Sequence, residues 1–454
     1  MRTLLINPPP LTTNHVFQYS LGLLYLADAI ENKENHVLAK DYFSVPILVA
    51  LRKTEKTIKE YSPNILGLSC TTRNRVACFK IIELAKKIDP KIKIILGGVH
   101  ASAMYKQIIL NFSVDVIVIG EGEMTLPELI ESLRKNGPLD KIKGIAFKDS
   151  AGKIKVTAPR EPIMDLDALA IPSHTKFKDI INKTKTAVML TSRGCPFRCV
   201  FCSTTQHWGL RWRPRSPKNV VDEMEYLAKT FPRIEKIFFH DDTFTFDNKR
   251  VIKICDEIKK RKLRIKWDCS SRVDRIEKDM LIKMKEAGCI HIAYGAESCS
   301  AKILKNINKG ITKEHIEKTF RITEEVGIPF SVFLMTGNPG ETWETIRETT
   351  QFLKNFKGLY IGSISKLEVY PGTDIHELAK EQCILDDEYW LTNKDPPVYT
   401  AEHSENELTK MAYYIITKNR LNHGFFDFLI FAVKSTIRQP DKAFAFIFSK
   451  LKNK

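Results

Sequence analysis

Cys195-Pro196-Phe197-Arg198-Cys199-Val200-Phe201-Cys202 sets three thiols within one short segment, at C-x3-C-x2-C spacing, directly after the apolar run Val188–Thr191. Ten cysteines in 454 residues, behind an N-terminus without an export signal, do not read as a disulfide framework. A tight cluster is then a metal or redox site. Three thiolates can grip a [4Fe–4S] cluster, which normally takes four, and leave one iron open to an outside ligand. The alternative is zinc, with His207 completing a Cys3His tetrahedron. Against zinc, the loop opens an α/β pattern and no second finger-like element follows.

Downstream of the cluster, short β-branched runs at Lys236–His240, Ile265–Ser270, Ile290–Tyr294, Phe330–Met335 and Ile361–Glu368 alternate with helical stretches. Ser216 can cap and Pro217 fits a first helical turn, with Val220, Val221, Met224 and Leu227 at helical spacing behind them. Another helix runs from Thr312 to Val326 and stops at Gly327. With Val188–Thr191 this makes six βα units, fewer than the eight of a closed barrel, so a partial (β/α)6 TIM-like barrel is expected over 186–380. Upstream, residues 1–148 also alternate. Leu4–Asn7, Val37–Asp41, Ile65–Ser69, Ile92–Leu96 and Val114–Ile119 imply a parallel sheet covered on both faces, a doubly wound, Rossmann-like α/β domain. Its ligand should sit beyond the carboxyl ends of the strands. Turn residues gather there: Ser69-Cys70-Thr71-Thr72, Gly97-Gly98-Val99-His100 and Gly120-Glu121-Gly122-Glu123. Any one glycine pair reads as an ordinary tight turn; three such turn-rich loops at one edge favour a site. Residues 149–185 are polar, carry Pro159, Pro162 and Pro172, and read as a linker.

Hydrophobic residues at 43% and charged residues at 28% exclude a disordered or fibrous chain. The net charge of +17 favours anionic partners without choosing among them. No apolar run approaches the roughly 18 residues a membrane span needs, so a cytoplasmic protein is expected. Residues 381–454 read as a helical extension ending in a phenylalanine-rich basic tail, Phe425 to Phe448 among Lys434, Arg438, Lys442 and Lys450. That tail either packs over the barrel or lies on an anionic membrane as a peripheral contact.

The cysteine loop, with Phe201 before its last thiol, resembles the signature of the radical S-adenosylmethionine (SAM) superfamily. Arg213-Pro214-Arg215-Ser216-Pro217, His240-Asp241-Asp242-Thr243-Phe244, Gly295-Ala296-Glu297-Ser298, Asn308-Lys309-Gly310, Gly337-Asn338-Pro339-Gly340-Glu341-Thr342 and Tyr370-Pro371-Gly372-Thr373 are similar to the subgroup with an N-terminal cobalamin-binding domain. The resemblance covers roughly residues 1–380. It implies that Cys195, Cys199 and Cys202 hold the cluster, that SAM chelates the open iron, and that its cleavage yields a 5′-deoxyadenosyl radical. Asp241 and Asp242 would face SAM's ammonium, Glu297 and Ser298 the ribose, and Gly337 the adenine, each having a loop-bracing alternative. Arg215 would hold SAM's carboxylate or brace a loop. Ser69, Thr71, Gly97, Gly98, Gly120, Glu121 and Gly122 would cradle cobalamin. Such domains often carry D-x-H-x-x-G; here Asp41 is followed by Phe43 and Pro46 in the His and Gly positions, so cobalt is expected without a protein histidine.

The implied activity is methyl transfer from methylcobalamin to an unactivated carbon of a small-molecule or lipid-like substrate. A flavodoxin- or ferredoxin-like electron donor would serve it, and no nucleic acid is expected. Rivals are a radical oxidative cyclase acting on a porphyrin- or hopanoid-like substrate, and a tRNA methylthiotransferase. The last needs a second three-Cys cluster in the N-terminal domain, where only Cys70 and Cys78 exist. From another class, the chain could be a cobalamin or SAM sensor without turnover.

Overall fold

In the computed structural model, which describes residues 1–12, 19–356 and 359–423, the early β-branched runs form parallel strands β1 (Arg2–Asn7), β2 (His36–Asp41), β3 (Ile65–Ser69), β4 (Lys93–Gly97) and β5 (Val116–Val118). β6 (Ile145–Lys148) and β7 (Ile154–Val156) extend the sheet antiparallel, giving the order β2-β1-β3-β4-β5-β6-β7. β1 pairs with both β2 and β3, so the strand order reverses there and opens a crevice at the carboxyl ends. β7 falls inside the expected linker. Its three residues are too few to show an alternating pattern, and its place comes from pairing with β6.

The second half builds β8 (Thr186–Met189), the two-residue strands β9 (Ser192–Arg193) and β10 (Arg213–Pro214), then β11 (Lys236–Phe239), β12 (Lys266–Ser271), β13 (Cys289–Glu297), β14 (Phe330–Thr336) and β15 (Tyr360–Lys366). Six strands form one parallel sheet in the order β15-β14-β13-β12-β11-β8, with no β15–β8 pairing among the described residues. This is the open six-stranded partial barrel expected from the pattern. β9 and β10 stand apart as an antiparallel ribbon. The helix Pro217–Thr230 starts as read: the Ser216 hydroxyl accepts from Asn219 N–H at 3.2 Å and Pro217 fills the first turn.

The halves share one core. Leu23, Val118 and Leu126 belong to the same buried cluster as Val188, Ile237 and Trp267. The helix Glu405–His423 packs on β14 and β15. The phenylalanine-rich tail lies outside the described residues. Among the described residues no helix is long and apolar enough to cross a membrane.

A buried polar chain crosses this shared core. His174 Nε2 meets Glu223 Oε1 at 2.8 Å, and its Nδ1 meets the Tyr19 hydroxyl at 2.8 Å. Tyr19 in turn accepts from Val188 N–H at 3.0 Å. Burial pushes the Glu223 carboxyl up, but Arg215 and His174 outweigh it and hold it below the usual range. Glu223→Ala should therefore cost about 3–5 kcal/mol, because the buried Arg215 guanidinium loses its counter-charge and the buried His174 imidazole a hydrogen-bond partner. Urea unfolding checks this, and a loss under about 1 kcal/mol would contradict it.

Candidate functional site

The three cysteines hang on a loop whose neck is the β9–β10 ribbon. Gly194 opens the loop at φ +85°, and a Cβ there would run into the Arg211 carbonyl oxygen. Only glycine fits. Beyond the neck the loop is pinned by backbone and side-chain bonds. Val200 N–H donates to Ile307 O at 3.1 Å, Ile375 N–H to Val200 O at 3.0 Å, and Asn308 Nδ2 to Arg198 O at 2.8 Å. Gly372 packs on Gln206 of the same loop. The Asn-Lys-Gly and Tyr-Pro-Gly-Thr motifs are thus supports for the cysteine loop.

Cys195, Cys199 and Cys202 are free and only half-buried, whereas six of the other seven cysteines are fully buried. Burial pushes the Cys195 and Cys202 thiols up. Cationic groups stand beside Cys199: Arg272 Nη1 lies 4.0 Å from its sulfur, and the buried Lys309 pairs with Glu297 Oε1 at 2.9 Å. Burial alone would weaken the Lys309 ammonium, but Glu297 and Cys199 outweigh it and keep it charged.

Among the described residues no three His, Cys, Asp or Glu side chains converge on one ion's position. Three free thiols on one short loop fit the donor set of a [4Fe–4S] cluster with one iron left open. His207, the candidate fourth zinc ligand, instead faces a cavity beside the loop.

That cavity, ≈ 440 Å³, lies between the two domains. Its volume falls in the range of about 300–1,000 Å³ usual for ligand sites. One wall comes from the carboxyl edge of the N-terminal sheet: Ser69, Thr71, Gly97, Gly98, Gly120 and Gly122. The other comes from the barrel mouth: Val188, Leu190, Thr204, His240 and Asp242. A Cβ on Gly97 would meet nothing nearer than 3.8 Å, and one on Gly120 nothing within 4 Å, so both leave open space for a ligand. Gly98, at φ +101°, would strike the Cys70 carbonyl with a Cβ 2.7 Å away. An apolar slot of Leu5, Gly67, Ile95 and Val118 runs into the sheet. A glycine cradle with a slot behind it fits the edge and tail of a large planar cofactor such as cobalamin. The loop after β2 brings Phe43 and no imidazole.

Asp242 keeps accessible surface, but that surface faces the cavity; enclosure by protein pushes its carboxyl up to about 6. It accepts from the Thr204 hydroxyl at 2.9 Å, two residues beyond Cys202. Desolvation by the surrounding protein lowers the His207 and His240 imidazoles.

Other expected contacts are spent on the protein itself. Asp241 is buried and takes Thr191 N–H at 2.7 Å, the Thr191 hydroxyl at 2.6 Å and the Ser192 hydroxyl at 2.5 Å. Arg215 resolves to the brace: its donors go to Leu190 O, Glu223, Asn219 Oδ1 and Asn219 O. The buried Ser298 hydroxyl meets Thr349 Oγ1 at 3.2 Å. Gly337 lies under Leu408 and gives its N–H to Glu341. Asp41 ties Asn7, Ser20 N–H and Phe43 N–H together and is not part of the cavity wall. Both carboxylate oxygens of Glu121 are taken by arginines. Phe201 lies under Lys309, whose ammonium is 5.7 Å from the ring centroid. Buried polar groups find partners, and the neighbouring fold supplied them before any ligand could. The reading of the sequence missed Gly194, Arg193, Tyr19, Tyr25 and Trp208. Gly194, beside the first cysteine, carried a signal; the others show none outside three dimensions.

The radical SAM superfamily model matches residues 189–353, and a B12 binding domain model matches residues 12–130. An uncharacterized methyltransferase of Pyrococcus horikoshii is 32% identical over 431 residues, covering 92% of this chain and 92% of that protein. The anaerobic magnesium-protoporphyrin IX monomethyl ester cyclase of Rubrivivax gelatinosus is 31% identical, over 67% of this chain and 56% of its own length. In fold, the chain is similar to the radical SAM methyltransferase TsrM from Kitasatospora setae, solved with cobalamin and a [4Fe–4S] cluster. The TM-score is 0.71 at 20% identity, covering 84% of this chain and 75% of that one.

The neck makes a direct test. Gly194→Ala combines a disfavoured φ with a backbone collision and should cost about 1–3 kcal/mol. Anaerobic iron reconstitution should fall with it; iron uptake equal to the parent chain would contradict the role of the neck.

Proposed function

This chain belongs to the radical SAM superfamily, in the branch that joins a B12-binding domain to the barrel, and from that footing we propose that it methylates an unactivated carbon of a small, largely apolar substrate. The observation that carries the proposal is the shared cavity. The glycine cradle of one domain and the Asp242–Thr204 corner beside the cysteines of the other face the same cavity. Reacting groups brought there would be held close and oriented, and orientation of this kind accounts for a large share of enzymatic rate.

Cys195, Cys199 and Cys202 would hold the [4Fe–4S] cluster, with SAM beside them, and Ser69, Thr71, Gly97, Gly98, Gly120 and Gly122 would hold cobalamin. When bound, the first two supply one-electron radical chemistry and the last a transferable methyl group. The chain's own residues do the rest. Arg272 and Lys309 balance negative charge at Cys199. Asp242 presents an acceptor to a cationic group near Cys202, within reach of the Thr204 hydroxyl. His207 and His240 line the cavity with imidazoles that desolvation makes harder to protonate, and Trp208, Tyr25 and Leu190 add apolar surface to its wall. The net charge of +17 favours an acidic one-electron donor protein of the flavodoxin or ferredoxin kind.

Anaerobic turnover with cluster, SAM and hydroxocobalamin should release 5′-deoxyadenosine together with S-adenosylhomocysteine. 5′-Deoxyadenosine alone would instead favour oxidative cyclisation, the reaction named for the relative from Rubrivivax gelatinosus. Any single Cys→Ala change at 195, 199 or 202 should abolish 5′-deoxyadenosine, and survival in one of them would contradict the cluster assignment. The cradle has a separate test. Gly97→Leu has room to fold but fills the cavity, so hydroxocobalamin affinity should drop by roughly tenfold or more, about 1.4 kcal/mol. Unchanged binding by visible titration would move cobalamin elsewhere.

A further inference from the structure

The ribbon at the neck has an electrostatic problem. Its register sets Arg193 directly opposite Arg213. Like charges facing each other across an antiparallel pair destabilise it. Burial makes matters worse, since the side chains are 3% and 1% exposed.

The carboxylate that resolves this comes from the other domain. Glu121, in the loop after β5, accepts from Arg193 Nη1 at 2.7 Å on one oxygen and from Arg213 Nη1 at 2.8 Å on the other. Its second oxygen also takes Ile163 N–H at 2.8 Å. Glu123 takes the other arm of Arg193, Nη2, at 2.6 Å. The Arg193 guanidinium lies 4.7 Å from the Trp208 ring centroid and 5.1 Å from that of Tyr25. Burial pushes the Glu121 carboxyl up, but the two guanidiniums outweigh it and keep it ionised.

We propose that Glu121 is a positioning residue, an interdomain latch whose carboxylate closes the neck of the three-cysteine loop. The loop then takes its shape only while the N-terminal domain is docked. Gly120 and Gly122, on either side of Glu121, line the cavity. A ligand pressed against those glycines acts on the segment that shuts the neck, so occupancy of the cradle and order in the cysteine loop are linked. The latch is a property of the polypeptide. It stands or falls independently of which reaction the chain performs.

Hydrogen–deuterium exchange on the purified full chain, before reconstitution, reads the neck directly. Glu121→Gln should speed exchange of amides 194–212 by about tenfold or more while β11–β14 keep their protection. Adding Arg213→Met removes the facing charge, and the double variant should recover most of the lost protection. Glu123→Gln leaves the bridge between the guanidiniums in place and should give a smaller rise. Unchanged exchange in Glu121→Gln overturns the latch. So does failure of Arg213→Met to restore protection, the result for a Glu121 that only contacts a ligand. If Glu121→Gln does not fold, the double variant is expected to fold and give near-parental exchange at 194–212; its failure also overturns the proposal.

Discussion

A loop that carries three sulfurs cannot be shaped by the sulfurs alone; its ends must be fixed first. Here that constraint is met at the β9–β10 neck, where Gly194 passes under the Arg211 carbonyl and a carboxylate from the other domain sits between two opposed guanidiniums. Everything downstream depends on it. Asn308 and Ile375 hold the loop's far side. The same carboxylate fixes how the Rossmann-like sheet meets the barrel, and so fixes the cavity they share.

Charge in this protein divides into two populations. Many ion pairs are exposed, such as the lysine and glutamate pairs along helices, and contribute little to stability. Several of the most deeply buried lie on the line between the domains: Arg193 and Arg213 with Glu121 and Glu123, and His174 and Arg215 with Glu223. Buried pairs are weak evidence for stability but expensive to break singly. Their position at the domain boundary gives them a geometric task, holding the two walls of the shared cavity in register. An apolar boundary of equal area would allow the domains to slide.

The parts of this molecule that were legible in the sequence are those where chemistry dictates spacing. Three thiols at C-x3-C-x2-C can be read because metal ligation sets such a spacing, and the glycines at two strand ends because a tight turn or a close approach calls for them. The strands were legible because parallel sheets covered on both faces are near-continuous runs of Val, Ile and Leu. Polar residues at strand ends were not. Asp241, Ser298 and Arg215 have the types and positions of ligand contacts, yet each is spent on a neighbour brought in by folding: Thr191, Thr349 and Glu223. The bridge from Glu121 to Arg213 spans 92 positions, and no local pattern encodes such a pairing. β7 escaped for the opposite reason, since a three-residue edge strand leaves too little pattern to read.

The central claim is that the cysteine loop and the glycine cradle open onto one cavity. Electron paramagnetic resonance on the chain loaded with Co(II) cobalamin and a reduced cluster tests it most directly. Two paramagnets flanking one cavity should broaden and speed the relaxation of each other's signals relative to either alone. Spectra that are a simple sum of the singly loaded forms would place the two groups in separate sites and contradict the account.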